Sequence, residues 1–355
     1  MIIRRKTKKI FVADRGIGGD SPISIQSMTN TKTKDVEATV KQILLLEEAG
    51  CDLSRSAIND LEDAKAIPKI KEKIHIPFIA DIQFDHRLAL YALEYGCDCL
   101  RINPGNIGNK EKLKEVVDLC KKKSVPIRVG VNSGSVHQSM IDKYHGVNVN
   151  SLVYSALEEI QAIEDFDYDQ IKVSIKSSDV MTMIKANKLF SSLSDYPLHL
   201  GVTEAGPSFT GTIKSSIGIG GLLAQGIGDT IRVSITGDPI QEVKIAKEIL
   251  RSLGLRKDGI RLISCPTCAR TTIDMEKLVQ EAEKHLEKVK KNLTVAIMGC
   301  PVNGPGEAKE ADIGIAGAGK TGVLFKEGKV LYQLPEDQLL PALLEEIDKM
   351  DGYAD

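Results

Sequence analysis

One pattern constrains this chain more than any other. Over its first two-thirds, a short apolar run leads into a polar residue and then into a helical stretch, eight times. The runs are "ISIQSM" (23–28), "CDLSRS" (51–56), "PFIAD" (77–81), "DCLRI" (98–102), "PIRVG" (126–130), "QIKVSI" (170–175), "PLHLG" (197–201) and "TIRVSI" (230–235). Amphipathic segments such as "VEATVKQILLLEEAG" and "QEVKIAKEILRSLG" lie between them. Continuous apolar strands alternating with helices specify a parallel sheet covered on both faces. Eight such units match a (β/α)8 TIM barrel. A doubly wound open sheet is the alternative, but it uses fewer strands, and no G-x-G-x-x-G follows the first run.

The order changes after "LGLRKDG" (253–259), a stretch rich in glycine and charge. A strand at "IRLIS" leads into a C-x-x-C loop, and a helix is expected from about Thr272, with Thr271 and Asp274 at capping-box spacing. Then come strands at "TVAIMG" and "ADIGIAG", a hairpin "TGVLFKEGKVLYQL" turning at Gly328, and a last helix near "PEDQLL". The expected organisation is α/β: a substrate-binding barrel over 1–254 and a small α+β domain over 255–355.

Composition narrows the function classes. The 355 residues carry a formal net charge of -2, with 27% charged and 42% hydrophobic residues. That balance gives no broad electrostatic basis for binding nucleic acid or an anionic membrane. No run reaches the roughly 20 apolar residues of a membrane helix. The opening "MIIRRKTKKI" lacks the apolar segment of a secretory signal, so a cytoplasmic location is expected.

Charged residues interrupt the apolar runs at their C-terminal ends: Arg55, Asp81, Arg101, Arg128 and Arg232, with Lys176 and Glu204 just beyond the sixth and seventh. In a barrel these side chains converge on the mouth where active sites lie. The planar fork of arginine suits phosphate oxygens, so several together point to a multiply charged anion. Asn103 and Asn132 add neutral donors. The glycine-rich stretch over 217–230 fits either a phosphate-binding loop or tight packing, and "GAGKTG" (317–322) lacks phosphate-loop spacing and reads as a turn.

Seven cysteines are present. Cys51, Cys97, Cys99 and Cys120 read as small buried hydrophobes. Cys265, Cys268 and Cys300 lie in Gly/Pro-shaped loops, "SCPTC" and "MGCPVNGPGE". Three thiolates suit zinc or an iron–sulfur cluster and lack a fourth ligand. His285 sits in a charged helix and reads as a solvated surface residue. Glu307 lies in the Cys300 loop and is the better candidate. A carboxylate ligand is displaceable, which favours catalysis over simple electron carriage. Two other readings fit the same residues: an electron carrier fused to a binding barrel, and a zinc-containing lyase with Lys176 as a Schiff-base amine.

These residues form a connected set. "ADIQFDHRLAL", "RINPGNIG", "PIRVGVNSGS", "IKVSIKSSDV", "LGVTEAG", "SSIGIGGLLAQGIGDTIRVSITGDP", "SCPTCART" and "MGCPVNGPGEA" together resemble the 4-hydroxy-3-methylbut-2-enyl diphosphate synthases, iron–sulfur enzymes of the methylerythritol phosphate isoprenoid pathway. The resemblance implies a two-electron ring opening of 2-C-methyl-D-erythritol 2,4-cyclodiphosphate to 4-hydroxy-3-methylbut-2-enyl diphosphate, with one oxygen lost as water. It implies a 4Fe-4S cluster on Cys265, Cys268, Cys300 and Glu307, in a domain resembling part of sulfite and nitrite reductases. It implies substrate contacts from Arg55, Asp81, Arg101, Asn103, Arg128, Asn132, Lys176, Arg232 and Ser234, with Asp81 and Glu204 near the substrate's hydroxyls; from its place after the seventh run, Glu204 is the expected proton donor. It further implies flavodoxin or ferredoxin as electron donor, and a homodimer in which one subunit's cluster domain caps the other's barrel. The sequence departs from the family's "DIHFD" at Gln83, which hydrogen-bonds but cannot titrate.

Overall fold

The structure of the chain is a computed structural model that describes residues 2–287, 289–300, 311–319 and 321–351. It divides into two compact units, Met1–Leu255 and Arg256–Asp355.

The first unit begins with a short antiparallel hairpin, β1 (Ile10–Val12) and β2 (Arg15–Ile17). Eight parallel strands follow: β3 (Ser24–Met28), β4 (Leu53–Ala57), β5 (Phe78–Asp81), β6 (Cys99–Ile102), β7 (Ile127–Asn132), β8 (Ile171–Lys176), β9 (His199–Leu200) and β10 (Thr230–Ile231). All eight coincide with the apolar runs. Their order is β8-β7-β6-β5-β4-β3-β10-β9, and a parallel bridge between Val173 and Leu198 joins β8 to β9. The sheet closes on itself, which rules out the open alternative. The 3-residue strands of the hairpin carry too little pattern to be seen in the sequence. Their role is packing: Ile10, Val12 and Ile17 form one buried cluster with Leu53, Ile79 and Cys99 from the N-terminal parts of β4, β5 and β6. The hairpin therefore plugs the floor of the barrel and leaves the opposite end as the mouth.

The outer helices start on side-chain caps. Asp35, Asp60, Asp85, Asn109, Asn148, Asp179 and Asp238 each accept a hydrogen bond from a backbone N–H in the first turn of the helix that follows. Such a cap contributes about 1 kcal/mol and fixes where each βα loop ends. The segment after β9 differs: helix Ser208–Ser215 runs directly into a π-helical turn, Ser216–Gly220. Gly218 there leaves no space for a side chain, since a Cβ would meet Val202 Cγ2 at 2.8 Å. At Gly218 the glycine-rich stretch serves close packing.

The second unit is a five-stranded sheet, β11 (Arg261–Ser264), β12 (Thr294–Met298), β13 (Ile313–Ala318), β14 (Thr321–Lys326) and β15 (Lys329–Pro335), in that order. The first three strands are parallel and the last two antiparallel. Helices Met275–Leu286 and Glu336–Lys349 bury Leu278, Ala282, Leu286, Leu339, Leu343 and Ile347 against it. The turn between β14 and β15 has positive φ at both Glu327 and Gly328, the backbone twist that closes a tight hairpin. One expectation needs correction. The first of these helices is capped by Asp274, whose carboxylate accepts from Lys277 N, and it starts at Met275. Thr271 is drawn instead into the cysteine loop, where its hydroxyl accepts from Cys268 N at 3.1 Å.

Candidate functional site

The barrel mouth is built from one row of cross-strand neighbours. Asp81 pairs in register with Arg101, Arg101 with Arg128, and Arg128 with Lys172, across β5 to β8. Nearer the C-terminal strand ends, Asn132 pairs with Lys176. Like charges directly opposite on neighbouring strands repel, and here three cations stand side by side. Each is enclosed: Arg101, Arg128 and Lys176 are 8%, 2% and 7% exposed, and Lys172 is 0% exposed. Arg55 is equally buried on β4.

Few anions answer them. Asp81 accepts from Arg101 Nη1 at 3.2 Å and lies 3.8 Å from Arg55 Nε. Burial acts to raise its pKa, but the combined field of Arg55, Arg101 and Arg128 outweighs it and holds the carboxyl below its ordinary value. Glu242, on helix Pro239–Ser252, lies 3.4 Å from Arg232 Nε and accepts from Ile235 N at 3.2 Å. Arg55 turns to a softer acceptor and places Nη2 2.8 Å from Met28 Sδ. Arg128 reaches only Gln26 Oε1, at 3.4 Å. Among the described residues, Asp81 and Glu242 are the carboxylates that pair with this set of cations, which comprises Arg55, Arg101, Arg128, Lys172, Lys176 and Arg232.

The electrostatic strain shows in every group of the set that shifts. Burial, reinforced by neighbouring cations, pushes Arg55 and Lys176 well below their ordinary values. Burial brings Arg128 down to about 9 and Lys172 to about 8. His199, fully enclosed with Nδ1 2.8 Å from Thr230 Oγ1, is driven down by burial and then by Lys176, so it is neutral at physiological pH. Two glycines give the cations room: a Cβ at Gly130 would lie 2.8 Å from Arg101 Nε, and one at Gly201 2.7 Å from Lys176 Nζ. Buried donors remain unused, among them Arg101 Nε, Asn103 Nδ2, Arg128 Nε and Lys172 Nζ. Surplus positive charge and unpartnered buried donors are features that an anion would satisfy.

The other expected residues fall around this core. Asn103 directly follows β6 and caps the short helix Pro104–Ile107. Arg232 and Ser234 follow β10 and are half-buried. Glu204 lies past β9, exposed, with φ +52, a left-handed conformation unusual for a residue with a side chain. Gln83 is also exposed, next to Phe84, which is 71% exposed. Sequence reasoning missed Lys172, Gln26, Met28, His199 and Glu242. The available signal was period two: in "IKVSIK", Lys172, Ser174 and Lys176 share one face of the strand.

In the second unit, Cys265 directly follows β11 and Cys300 lies two residues beyond β12, so both loops leave from adjacent parallel strands. The loops are tied together. Gly299 N donates to Cys265 Sγ at 3.1 Å, and Thr272 N donates to Gly299 O at 2.9 Å. A side chain at Gly299 would press on Thr271, with Cβ only 3.0 Å from its Cγ2. Cys268 is exposed, and its thiol pKa is lowered, first by the backbone N–H of Arg270. Cys300 is buried. Among the described residues no three His, Cys, Asp or Glu side chains already converge as a metal site, and Glu307 lies outside those residues. The donor chemistry fits an iron–sulfur group: thiols on paired strand ends, one accepting an N–H···S bond and one biased toward thiolate. Cys51, Cys97, Cys99 and Cys120 are all buried in the barrel unit, and burial raises the thiol pKa of Cys97, Cys99 and Cys120. His285 is exposed on its helix.

Comparison with known proteins decides among the readings. The profile of the GcpE TIM-barrel domain matches residues 7–247, and that of the GcpE protein C-terminal domain matches 261–349. The chain belongs to the GcpE family. It is 54% identical over 345 residues to the 4-hydroxy-3-methylbut-2-en-1-yl diphosphate synthase (flavodoxin) of Clostridium perfringens, covering 97% of this chain and 99% of that one. The Clostridium tetani protein of the same name is 56% identical, with 97% and 99% covered, and that of Geobacillus kaustophilus 51%, with 99% and 94% covered. GcpE proteins of this kind are oxidoreductases of isoprenoid precursor synthesis, and so is this chain. Among solved structures, a dihydropteroate synthase from Stenotrophomonas maltophilia superposes with a TM-score of 0.51 at 14% identity, covering 70% of this chain and 98% of that one. That likeness is one of barrel fold alone.

Proposed function

We propose that the chain reduces 2-C-methyl-D-erythritol 2,4-cyclodiphosphate to 4-hydroxy-3-methylbut-2-enyl diphosphate, with the diphosphate held in the cationic barrel mouth. The observation that carries this reading is the surplus of positive charge among the described residues: five buried cations and the half-buried Arg232, paired only by Asp81 and Glu242. Arg55, Arg101, Arg128, Lys176 and Arg232 take the diphosphate oxygens. Asn103, Asn132 and Ser234 donate to the remaining polar atoms of the substrate. Asp81 keeps two of the arginines at a fixed separation and lies close to the substrate's hydroxyls.

Fixing both phosphates orients the ring for opening, and the binding energy comes from groups already desolvated in the free protein. Glu204 delivers the proton with which the departing hydroxyl leaves as water. Its left-handed backbone supports a functional placement, because strain of this kind persists where the surrounding structure enforces it. Cys265, Cys268, Cys300 and Glu307 would hold a 4Fe-4S cluster, whose chemistry there is the supply of two electrons and of a Lewis-acidic iron. The barrel unit is thus the substrate domain and the second unit the cluster domain.

Flavodoxin is the proposed electron donor in preference to ferredoxin, since the names of the relatives carry it. A cytoplasmic homodimer, with the cluster domain of one subunit over the barrel of the other, completes the reading. The exposed Phe84, in the loop after β5, and Phe209, in the first turn of helix Ser208–Ser215 after β9, are 71% and 80% accessible and support a covered mouth. Among the described residues no helix is long and apolar enough to cross a membrane. The test is calorimetric titration of the protein with the cyclodiphosphate. Tight binding that Arg128→Ala weakens at least tenfold is expected; binding indifferent to Arg128 would sink the assignment.

A further inference from the structure

A second pair of titratable groups lies behind the mouth and is used by none of the steps above. Glu159, on helix Val149–Glu164, is 4% exposed, and neither of its carboxylate oxygens has a hydrogen-bond partner. The imidazole of His137 faces it, with Nε2 3.7 Å from Glu159 Oε1. The imidazole rests on the backbone of Gly105, where an added Cβ would fall 1.7 Å from Nε2. Gly105 belongs to the short helix Pro104–Ile107 that Asn103 caps, its own N–H donating to Asn103 Oδ1 at 3.1 Å. That hydrogen bond occupies the oxygen of the amide and leaves the buried Asn103 Nδ2 unpartnered.

The same ring is tied to the next loop. Asn132 ends β7, and the turn Ser133–Ser135 follows, closed by Ser135 Oγ, which accepts from Asn132 N at 2.9 Å. His137 comes two residues later. The imidazole therefore sits between the loop that carries Asn103 and the loop that carries Asn132, with Glu159 behind it. Two charged groups bear on the Glu159 carboxyl, Arg101 from β6 and Glu158 from its own helix, and the imidazole of His137, from the loop after β7, lies against it. Burial, opposed by Arg101 and reinforced by Glu158, lifts this carboxyl to about 8.

We propose that His137 and Glu159 are positioning residues: the pair clamps Gly105 and the turn after Asn132, and so holds the Asn103 and Asn132 amides in register for the cyclodiphosphate. The inference rests on the reading that this mouth binds that substrate. Neither residue touches the reacting atoms, so the clamp acts on substrate affinity and leaves the chemical step alone. Removing either partner frees the loop after β6 and misplaces a donor that the substrate needs.

The test is steady-state kinetics of the iron-loaded enzyme with the cyclodiphosphate, alongside thermal melting. Glu159→Gln and His137→Ala should each raise KM about tenfold while kcat at saturation stays within threefold. The reciprocal exchange, His137→Glu with Glu159→His, should bring KM back to within threefold of the starting protein. His137→Gln, at a half-exposed position, provides a variant that folds even if the buried substitution does not, and should raise KM as well. The proposal is overturned if these variants leave KM within twofold, if kcat falls while KM holds, or if the exchange is no better than the single substitutions. Arg128→Ala serves as the control: should it too leave KM unchanged, the substrate assignment fails rather than the clamp.

Discussion

Arg128 and Lys172 are cross-strand partners on β7 and β8, both closed off from solvent, and among the described residues neither forms an ion pair. Two cations in that relationship are tolerated only at the expense of stability, and the deficit is recovered when an anion arrives. The free protein is therefore held in a state that its ligand relieves.

Lys172 measures that strain directly. Its folded pKa, about 8, lies below the ordinary lysine value of 10.5. The unfolded chain thus holds the proton more tightly than the folded one, and the penalty is complete below about pH 8 and disappears as pH rises toward 10.5. Lys172→Met keeps the stem and removes the charge. It should be more stable than the parent at pH 7, by up to on the order of 3 kcal/mol. The gap should narrow steadily above pH 8, as urea titrations at a series of pH values would record. A gap that widened with pH would contradict the assignment.

Arg128 and Asp81 should both be needed for substrate binding and should differ in what they do for folding stability. Arg128→Met removes a desolvated cation and its charge-assisted contacts, so substrate affinity should fall by about 2–3 kcal/mol with little loss of folding stability. Asp81→Asn adds a net positive charge to the mouth, which by attraction alone would tighten anion binding. Because Asp81 fixes Arg55 and Arg101, the expected result is weaker binding and a stability loss of about 3 kcal/mol. Binding calorimetry and chemical denaturation on both variants separate positioning from bulk charge.

The barrel was readable in the chain because parallel strands buried on both faces are continuous apolar runs, and all eight emerged where those runs predicted. The hairpin Ile10–Ile17 was not, since its strands span three residues each and its apolar positions fit no period. The arginines of the mouth stood out as charges inside apolar runs. Their partners did not: Glu242 is one carboxylate among many on a helix, and only the closed barrel brings it to Arg232. His137 and Glu159 were silent for the same reason, being adjacent in space and 22 positions apart in the chain. Thr271 was misread as a cap because its spacing to Asp274 is right, whereas the need to shape the Cys268 loop claims its hydroxyl.

Glu204 carries two expectations. Glu204→Gln keeps the shape and removes the acid, so kcat should fall by about 10²-fold or more with KM little changed. Glu204→Gly relieves the left-handed backbone and should raise folding stability by about 1 kcal/mol while abolishing turnover. A stability gain joined to a loss of activity is the signature of strain kept for function, and melting curves with a turnover assay on the two variants would show it.

The three cysteines should act as one unit. Cys268→Ser changes an exposed side chain and leaves both hydrophobic cores intact. Protein purified without oxygen should contain close to four iron atoms and four acid-labile sulfides per chain, the composition of a 4Fe-4S group. The Cys268→Ser protein should contain far less of both, with unchanged far-ultraviolet circular dichroism. One zinc per chain and no sulfide in the parent would remove the redox chemistry.

The most direct measurement is a turnover of the anaerobic enzyme with the cyclodiphosphate and a known amount of reduced flavodoxin, following products by phosphorus magnetic resonance. The expected result is conversion of the cyclic diphosphate to the linear 4-hydroxy-3-methylbut-2-enyl diphosphate, with two flavodoxin electrons consumed per molecule and markedly less product from Arg128→Ala at matched, sub-saturating substrate. Iron-loaded protein that binds the cyclodiphosphate and leaves it unreduced, with the flavodoxin still fully reduced, would contradict it.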